Sequence, residues 1–86
     1  MIPQYLTVHV TRPDGSLLVI AGKAREITIL GTRFIGIVVP RSARLEKFAM
    51  FFRAEDVKAF CPCRKSDAKL RNDENWEKIL SAENGY

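Results

Sequence analysis

The 86-residue sequence lacks any long run of apolar residues. Its longest apolar stretches, residues 17–21 and 48–52, are far shorter than the ~18–20 residues that a membrane-spanning helix needs. The N-terminus also lacks the basic segment, apolar segment and small-residue cleavage site of a secretory signal. We therefore expect a cytoplasmic protein that does not cross a membrane.

Cysteine and histidine are scarce. Cys61 and Cys63 are one residue apart, and a disulfide between such near neighbours would be strained, so we expect free thiols. They amount to half of a zinc site, but structural zinc sites use about four ligands, and His9 is the only histidine in the sequence. His9 alternates with apolar residues in a strand-like stretch, which favours a surface position. The sequence thus predicts no metal and no cofactor.

Catalytic motifs are lacking as well. There is no Gly-rich phosphate loop, no Ser–His–acid arrangement and no pair of carboxylates at a useful spacing. The two cysteines follow a predicted helical turn and so lie at its negative end, which disfavours a reactive thiolate. We expect a non-catalytic protein without a small-molecule substrate.

What the first half of the chain does have is strand-like patterning. Residues 5–12 alternate apolar and polar side chains, and residues 13–16 (Pro-Asp-Gly-Ser) are typical of a tight turn. Residues 17–30 are interpreted as one long strand bent at Gly22. Residues 26–39 predict a second hairpin, which ends before Pro40 because proline cannot donate a hydrogen bond to a neighbouring strand.

The second half is less regular. Residues 48–52 (Phe-Ala-Met-Phe-Phe) are compatible with a helix or a strand, and we favour the strand. A short helical turn is predicted over about residues 54–60. A C-terminal helix is predicted over about residues 73–83, with Asp73 as its N-cap and Trp76 on its apolar side.

These elements predict a single α+β domain: a small antiparallel sheet of four to five strands over about residues 5–53, followed by a C-terminal helix. The order of short strands, the bend at Gly22 and a single helical turn near the end resemble those of small SH3-like or Sm-like barrels. The resemblance implies a barrel-like sheet, but it implies no function, because a fold alone does not fix one.

Positive charge is the strongest functional feature. Lys and Arg number 14 against 10 Asp and Glu, for a net charge of +4. Residues 1–43 carry five bases against two acids, whereas residues 44–86 carry nine against eight. Bases from both halves, brought together by folding, would form a surface suited to phosphates. The residues predicted to contact an acidic partner, either nucleic acid, a nucleoprotein or an acidic protein, are Arg25, Arg33, Arg41, Arg44, Arg64, Lys65, Lys69 and Arg71. The opposing interpretation is that these bases only solvate loops and strand ends.

Aromatic residues suggest an alternative function. All five phenylalanines lie in apolar stretches and are expected in the core, which leaves Tyr5 and Tyr86 as candidates for stacking on bases. The alternative is a protein-binding inhibitor or adaptor, of a size compatible with proteins encoded by phages and mobile elements, that uses a patch of Met50, Phe51 and Trp76. Against it, Trp76 is expected to hold the C-terminal helix against the sheet. The sequence predicts neither the partner nor the oligomeric state.

Overall fold

Five antiparallel strands followed by two helices make up the fold. A computed structural model describes the backbone of residues 5–85 and the side chains of residues 5–82. The sheet order is β4-β3-β2-β1-β5, which confirms a small single-domain α+β protein with an antiparallel sheet. Between residues 5 and 85, neither helix is long and apolar enough to span a bilayer. In chain order the elements are β1 (Tyr5–Thr11), β2 (Leu17–Ile29), β3 (Thr32–Val39), β4 (Phe48–Arg53), a 3₁₀ turn (Ala54–Asp56), β5 (Val57–Pro62), α1 (Lys65–Glu74) and α2 (Trp76–Gly85).

Both hairpin turns follow from local chemistry. Between β1 and β2, Asp14 accepts hydrogen bonds from the backbone N–H of Ser16 at 2.9 Å and from its hydroxyl at 2.6 Å. These bonds hold the pKa of the exposed Asp14 carboxyl below its ordinary value. Between β2 and β3, Leu30 and Gly31 have φ values of 51° and 83°. Positive φ at both central residues matches the right-handed twist of the flanking strands.

β2 is one long strand that runs through Gly22, as the sequence predicts. Residues 17–23 of β2 pair with β1, and residues 23–29 pair with β3. The partners exchange at Lys23, and a Cβ atom on the adjacent Gly22 would lie 2.7 Å from the carbonyl carbon of Val38. Glycine therefore allows β3 to approach β2 closely where the partners exchange.

The sheet has two faces of different composition, which we call the inner and the outer face. The inner face carries the apolar core. Directly opposed residues on neighbouring strands project to the same side, so the register assigns each residue to a face. Leu45, from the segment before β4, and Ile79 and Ala82, from α2, complete the core. The buried inner-face residues are Leu6, Val8, Val10, Leu18, Ile20, Ile37, Val39, Met50 and Phe52.

Helix α1 covers one end of the outer face, where Thr7 and Ala21 are fully buried. The fully buried side chain of Asn72 anchors the helix. Its Oδ1 accepts a hydrogen bond from the Ala21 N–H at 2.8 Å, and its Nδ2 donates to the Ala21 carbonyl at 2.7 Å. β3 pairs with β2 only from Lys23 onward, so the Asn72 amide supplies the partners that a strand would otherwise give Ala21.

Two predicted elements differ from the structure. The helical turn expected over residues 54–60 is confined to Ala54–Asp56, and Val57–Pro62 is an edge strand paired with β1. The single helix expected over residues 73–83 is instead the end of α1 and most of α2. Asp73 lies inside α1 rather than at an N-cap. Residues 48–52 lie in β4, in agreement with the strand prediction.

Candidate functional site

A cleft of about 280 Å³ opens between α1 and the outer face of the sheet. Of the eight described residues that line it, five are cationic and none is acidic. We call it the basic cleft. Its lining residues are Tyr5, Lys23, Val38, Pro40, Arg41, Lys47, Lys65 and Lys69.

The sheet forms the floor of the basic cleft. In the strand register Tyr5 lies opposite Lys23, and Lys23 lies opposite Val38, so the three form one row on the outer face. Helix α1 supplies a wall, because Lys65 and Lys69 are four residues apart and therefore on the same side of the helix.

The segment 40–47, between β3 and β4, brings Arg41 and Lys47 to the cleft. Asp73 of α1 holds this segment by accepting hydrogen bonds from the Ser42 hydroxyl at 2.5 Å and from the Arg44 N–H at 3.1 Å. The Ser42 hydrogen bond, followed by the backbone bond from Arg44, keeps the pKa of Asp73 below its ordinary value of 3.8. Leu45, almost fully buried, fixes the same segment to the core.

The cations of the basic cleft form no ion pair with any carboxylate whose side chain the structure describes. Within residues 5–82, all three ion pairs involve Arg33 or Arg53, neither of which lines the cleft. Lys65 also lies in the first turn of α1, where the helix dipole is positive and the N-cap residue makes no side-chain cap hydrogen bond. A cation in that position is electrostatically unfavourable. The cleft thus concentrates positive charge that the described part of the protein does not neutralise.

Three of the eight predicted basic residues, Arg41, Lys65 and Lys69, come together in the basic cleft. The other five lie elsewhere. Arg33 pairs with Glu26, with 2.6 Å between Nη2 and Oε1. Arg44 places its guanidinium 5.3 Å from the centroid of the Trp76 ring. The remaining three are exposed and do not line the cleft: Arg25, Arg64 and Arg71.

Lys23 and Lys47 line the basic cleft but were not predicted. For Lys23, the signal was in the turn at residues 13–16. A hairpin centred on this turn sets Tyr5 opposite Lys23. The turn and the predicted stacking residue Tyr5 together were therefore enough to place Lys23 beside Tyr5. Lys47 had no such signal, because its position depends on how the segment before β4 folds.

The residues of the predicted aromatic patch are separated. Met50 is in the core, and Trp76 is partly buried against it. Phe51 is on the outer face and is 52% exposed, so the expectation that all phenylalanines are buried is wrong for this residue. It is also wrong for Phe60, which is 65% exposed and lines an apolar groove with inner-face residues. Tyr86 lies outside the described residues.

The two cysteines are free; Cys61 is exposed and Cys63 partly so. No three His, Cys, Asp or Glu side chains within the described part of the chain are placed to hold a metal ion. Comparisons with protein-family models, curated proteins and solved structures find nothing that matches this chain. Function is therefore inferred from the geometry of the site.

Proposed function

We propose that this protein is a non-catalytic nucleic-acid-binding protein that holds backbone phosphates in its basic cleft. The observation that carries the proposal is the convergence of five cations from three separate parts of the chain on one cleft, with no carboxylate among the described residues that line it. Clustered cations repel one another in the free protein, and phosphates bound between them would remove that repulsion.

The lining of the cleft favours a polyanion over a small cofactor, because small-molecule pockets are lined mainly by apolar side chains. Its volume of about 280 Å³ is near the lower end of the range for such pockets, about 300–1,000 Å³. It can take a phosphate and its sugar while the rest of the ligand continues outside. Tyr5, at the floor, adds a ring that can contact a sugar or a base.

Salt dependence provides the test. Labelled oligonucleotides, single-stranded and duplex, are titrated with protein at about 50 mM and about 200 mM salt, and binding is followed by fluorescence anisotropy. If all five cations contact phosphates, the slope of log K against log salt is about −3.5 on single strands and about −4.5 on duplex. Affinity then falls about 100- to 500-fold between the two salt concentrations.

Charge-matched variants localise the binding. The double substitution Lys65→Gln/Lys69→Gln should weaken binding and reduce the magnitude of the salt slope by about 1.4 on single strands. The control, Lys58→Gln/Lys78→Gln, removes the same charge from exposed positions outside the cleft and should leave the slope nearly unchanged. The absence of any binding at low salt would refute the proposal, and equal effects of the two double variants would show that the cleft is not the site.

We also propose an SH3-like, barrel-like arrangement of the sheet and a cytoplasmic location. The arrangement is supported by the long strand β2, which pairs with β1 up to Lys23 and with β3 from Lys23 onward, and by the 3₁₀ turn between β4 and β5. A cytoplasmic location is supported by the free, accessible thiols of Cys61 and Cys63, which suit a reducing compartment.

A further inference from the structure

The outer face continues beyond the basic cleft as an uncovered surface. The row next to Lys23 and Val38 contains Arg25, Gly36 and Phe51, which lie opposite one another on β2, β3 and β4. Rows on one face are two residues apart, or about 6.6 Å along the strands. None of the residues that β2, β3 and β4 place on this face is a carboxylate.

Phe51 has a defined position on this surface. Its ring lies over Gly36, where an added Cβ atom would come within 2.6 Å of the ring atom Cε1. Because Gly36 has no side chain, the ring rests on β3, yet 52% of the residue stays exposed. An aromatic ring supported by backbone on one side and open to solvent on another can serve as a stacking platform.

A depression of about 430 Å³ adjoins Phe51. Phe34, Arg12 and Arg53 line it as well, together with Asp56, which pairs with Arg53 at 3.7 Å. The Nε atom of Arg12 is buried and has no hydrogen-bond acceptor within the described residues. Arg12 also carries further guanidinium N–H donors, of the kind that bind a carbonyl or ring nitrogen of a base.

We infer that the outer face binds single-stranded rather than duplex nucleic acid, with the backbone in the basic cleft and an unpaired base stacked on Phe51 beside Arg12. The inference rests on the proposed function and specifies its ligand. In a duplex, both faces of a base are covered by its neighbours, so a ring fixed to a sheet cannot stack on it. Only an unstacked base can use Phe51, whereas the cations of the cleft accept phosphates of either form.

Phe51→Leu tests the inference, and Phe60→Leu is its matched control. Both remove an exposed phenylalanine ring, but Phe60 lies opposite Val8 and therefore on the inner side of the sheet. Binding of a mixed-sequence single-stranded oligonucleotide and of its duplex is measured by anisotropy at low salt, with the folding of each variant checked by thermal melting. Phe51→Leu should weaken single-strand binding about tenfold and leave duplex binding and the salt slope unchanged. Phe51→Trp keeps a ring and should bind single strands at least as tightly as the natural protein.

The outcomes separate this inference from the proposed function. Single-strand binding unchanged in Phe51→Leu, with a steep salt slope retained, overturns the stacking inference and leaves the proposed function standing. An equal loss in Phe60→Leu, or a loss in Phe51→Trp as large as in Phe51→Leu, also overturns it. Failure of the natural protein to bind either form at low salt removes both.

Discussion

The two ends of the sheet treat positive charge differently. At the end near the turn between β2 and β3, Arg33 and Arg53 each lie within 3.7 Å of a carboxylate oxygen. At the end under α1, the five cations of the basic cleft have no carboxylate partner within residues 5–82. Exposed ion pairs contribute little to stability, but they do neutralise charge. Net charge alone does not show where positive charge is left unneutralised, and this difference is the reason for placing the proposed binding surface at the end under α1.

The largest effect is expected when α1 is detached from the sheet. Asn72→Leu would leave the buried N–H and C=O of Ala21 without partners. At about 1–3 kcal/mol for each group, the free energy of unfolding should fall by about 2–6 kcal/mol, as measured by urea denaturation. Nucleic-acid affinity should fall with it, because Lys65 and Lys69 lose their fixed position over Lys23.

Asn75→Ala is the control for this substitution. The Asn75 amide donates to the Arg71 carbonyl at an exposed site, so its loss should cost less than about 1 kcal/mol. Equal stability of Asn72→Leu and the natural protein would contradict the anchoring role.

A smaller effect is expected from the carboxylate that holds segment 40–47. The pKa of Asp73 is lower in the folded than in the unfolded chain, so its carboxylate stabilises the fold above about pH 3.8. That contribution is lost as the pH falls through the lowered folded-state value. Asp73→Ala should therefore be less stable than the natural protein at neutral pH, and the difference should shrink in acid.

Thermal melts between about pH 2 and pH 7 provide the measurement. Asp73→Ala should also weaken nucleic-acid binding, since the segment that carries Arg41 and Lys47 loses its tie to α1. A stability difference that stays constant with pH would contradict the role of the ionised carboxylate.

The smallest effects on the free energy of unfolding are expected from single cations, and they should have opposite signs at the two ends of the sheet. Removing a paired cation with Arg33→Gln should lower the free energy of unfolding by up to about 1 kcal/mol. Removing a cleft cation with Lys65→Gln should raise it by about 0.3–1 kcal/mol, since the positive end of α1 no longer faces a lysine.

Urea denaturation at low and high salt measures both values, and both should approach zero at high salt. A loss of stability in Lys65→Gln would mean that this lysine has a stabilising partner, and the contrast between the two ends would then fail.

The strands of the first half were predictable because their signals are local. The turn at residues 13–16 closes through Asp14 and Ser16, which are near neighbours, and the close approach of β3 to β2 depends on Gly22 itself. β5 was missed because its side chains are mostly exposed and its hydrogen bonds come from β1, about 50 residues away. α1 was missed because the residues that it buries are Ala68 and Asn72, which give no apolar periodicity.

The candidate site was predictable only in part, for the same reason. The basic window around Lys65 and Lys69 was visible in the sequence, but its meeting with Lys23 depends on contacts that no local pattern encodes. Phe51 looked like a core residue because its neighbours are apolar. Its exposure follows from the strand register, which places it opposite Gly36, on the face away from Met50 and Phe52.

The bond from the Ala21 amide to Asn72 also gives the molecule a built-in probe. This proton is held by a helix side chain rather than by a neighbouring strand, so it can exchange with deuterium only when the helix separates from the sheet. Its exchange rate therefore reports the separation of α1 from the sheet. A ligand that contacts both α1 and the sheet should slow exchange at Ala21 more than exchange at the amides of the distant β2–β3 hairpin.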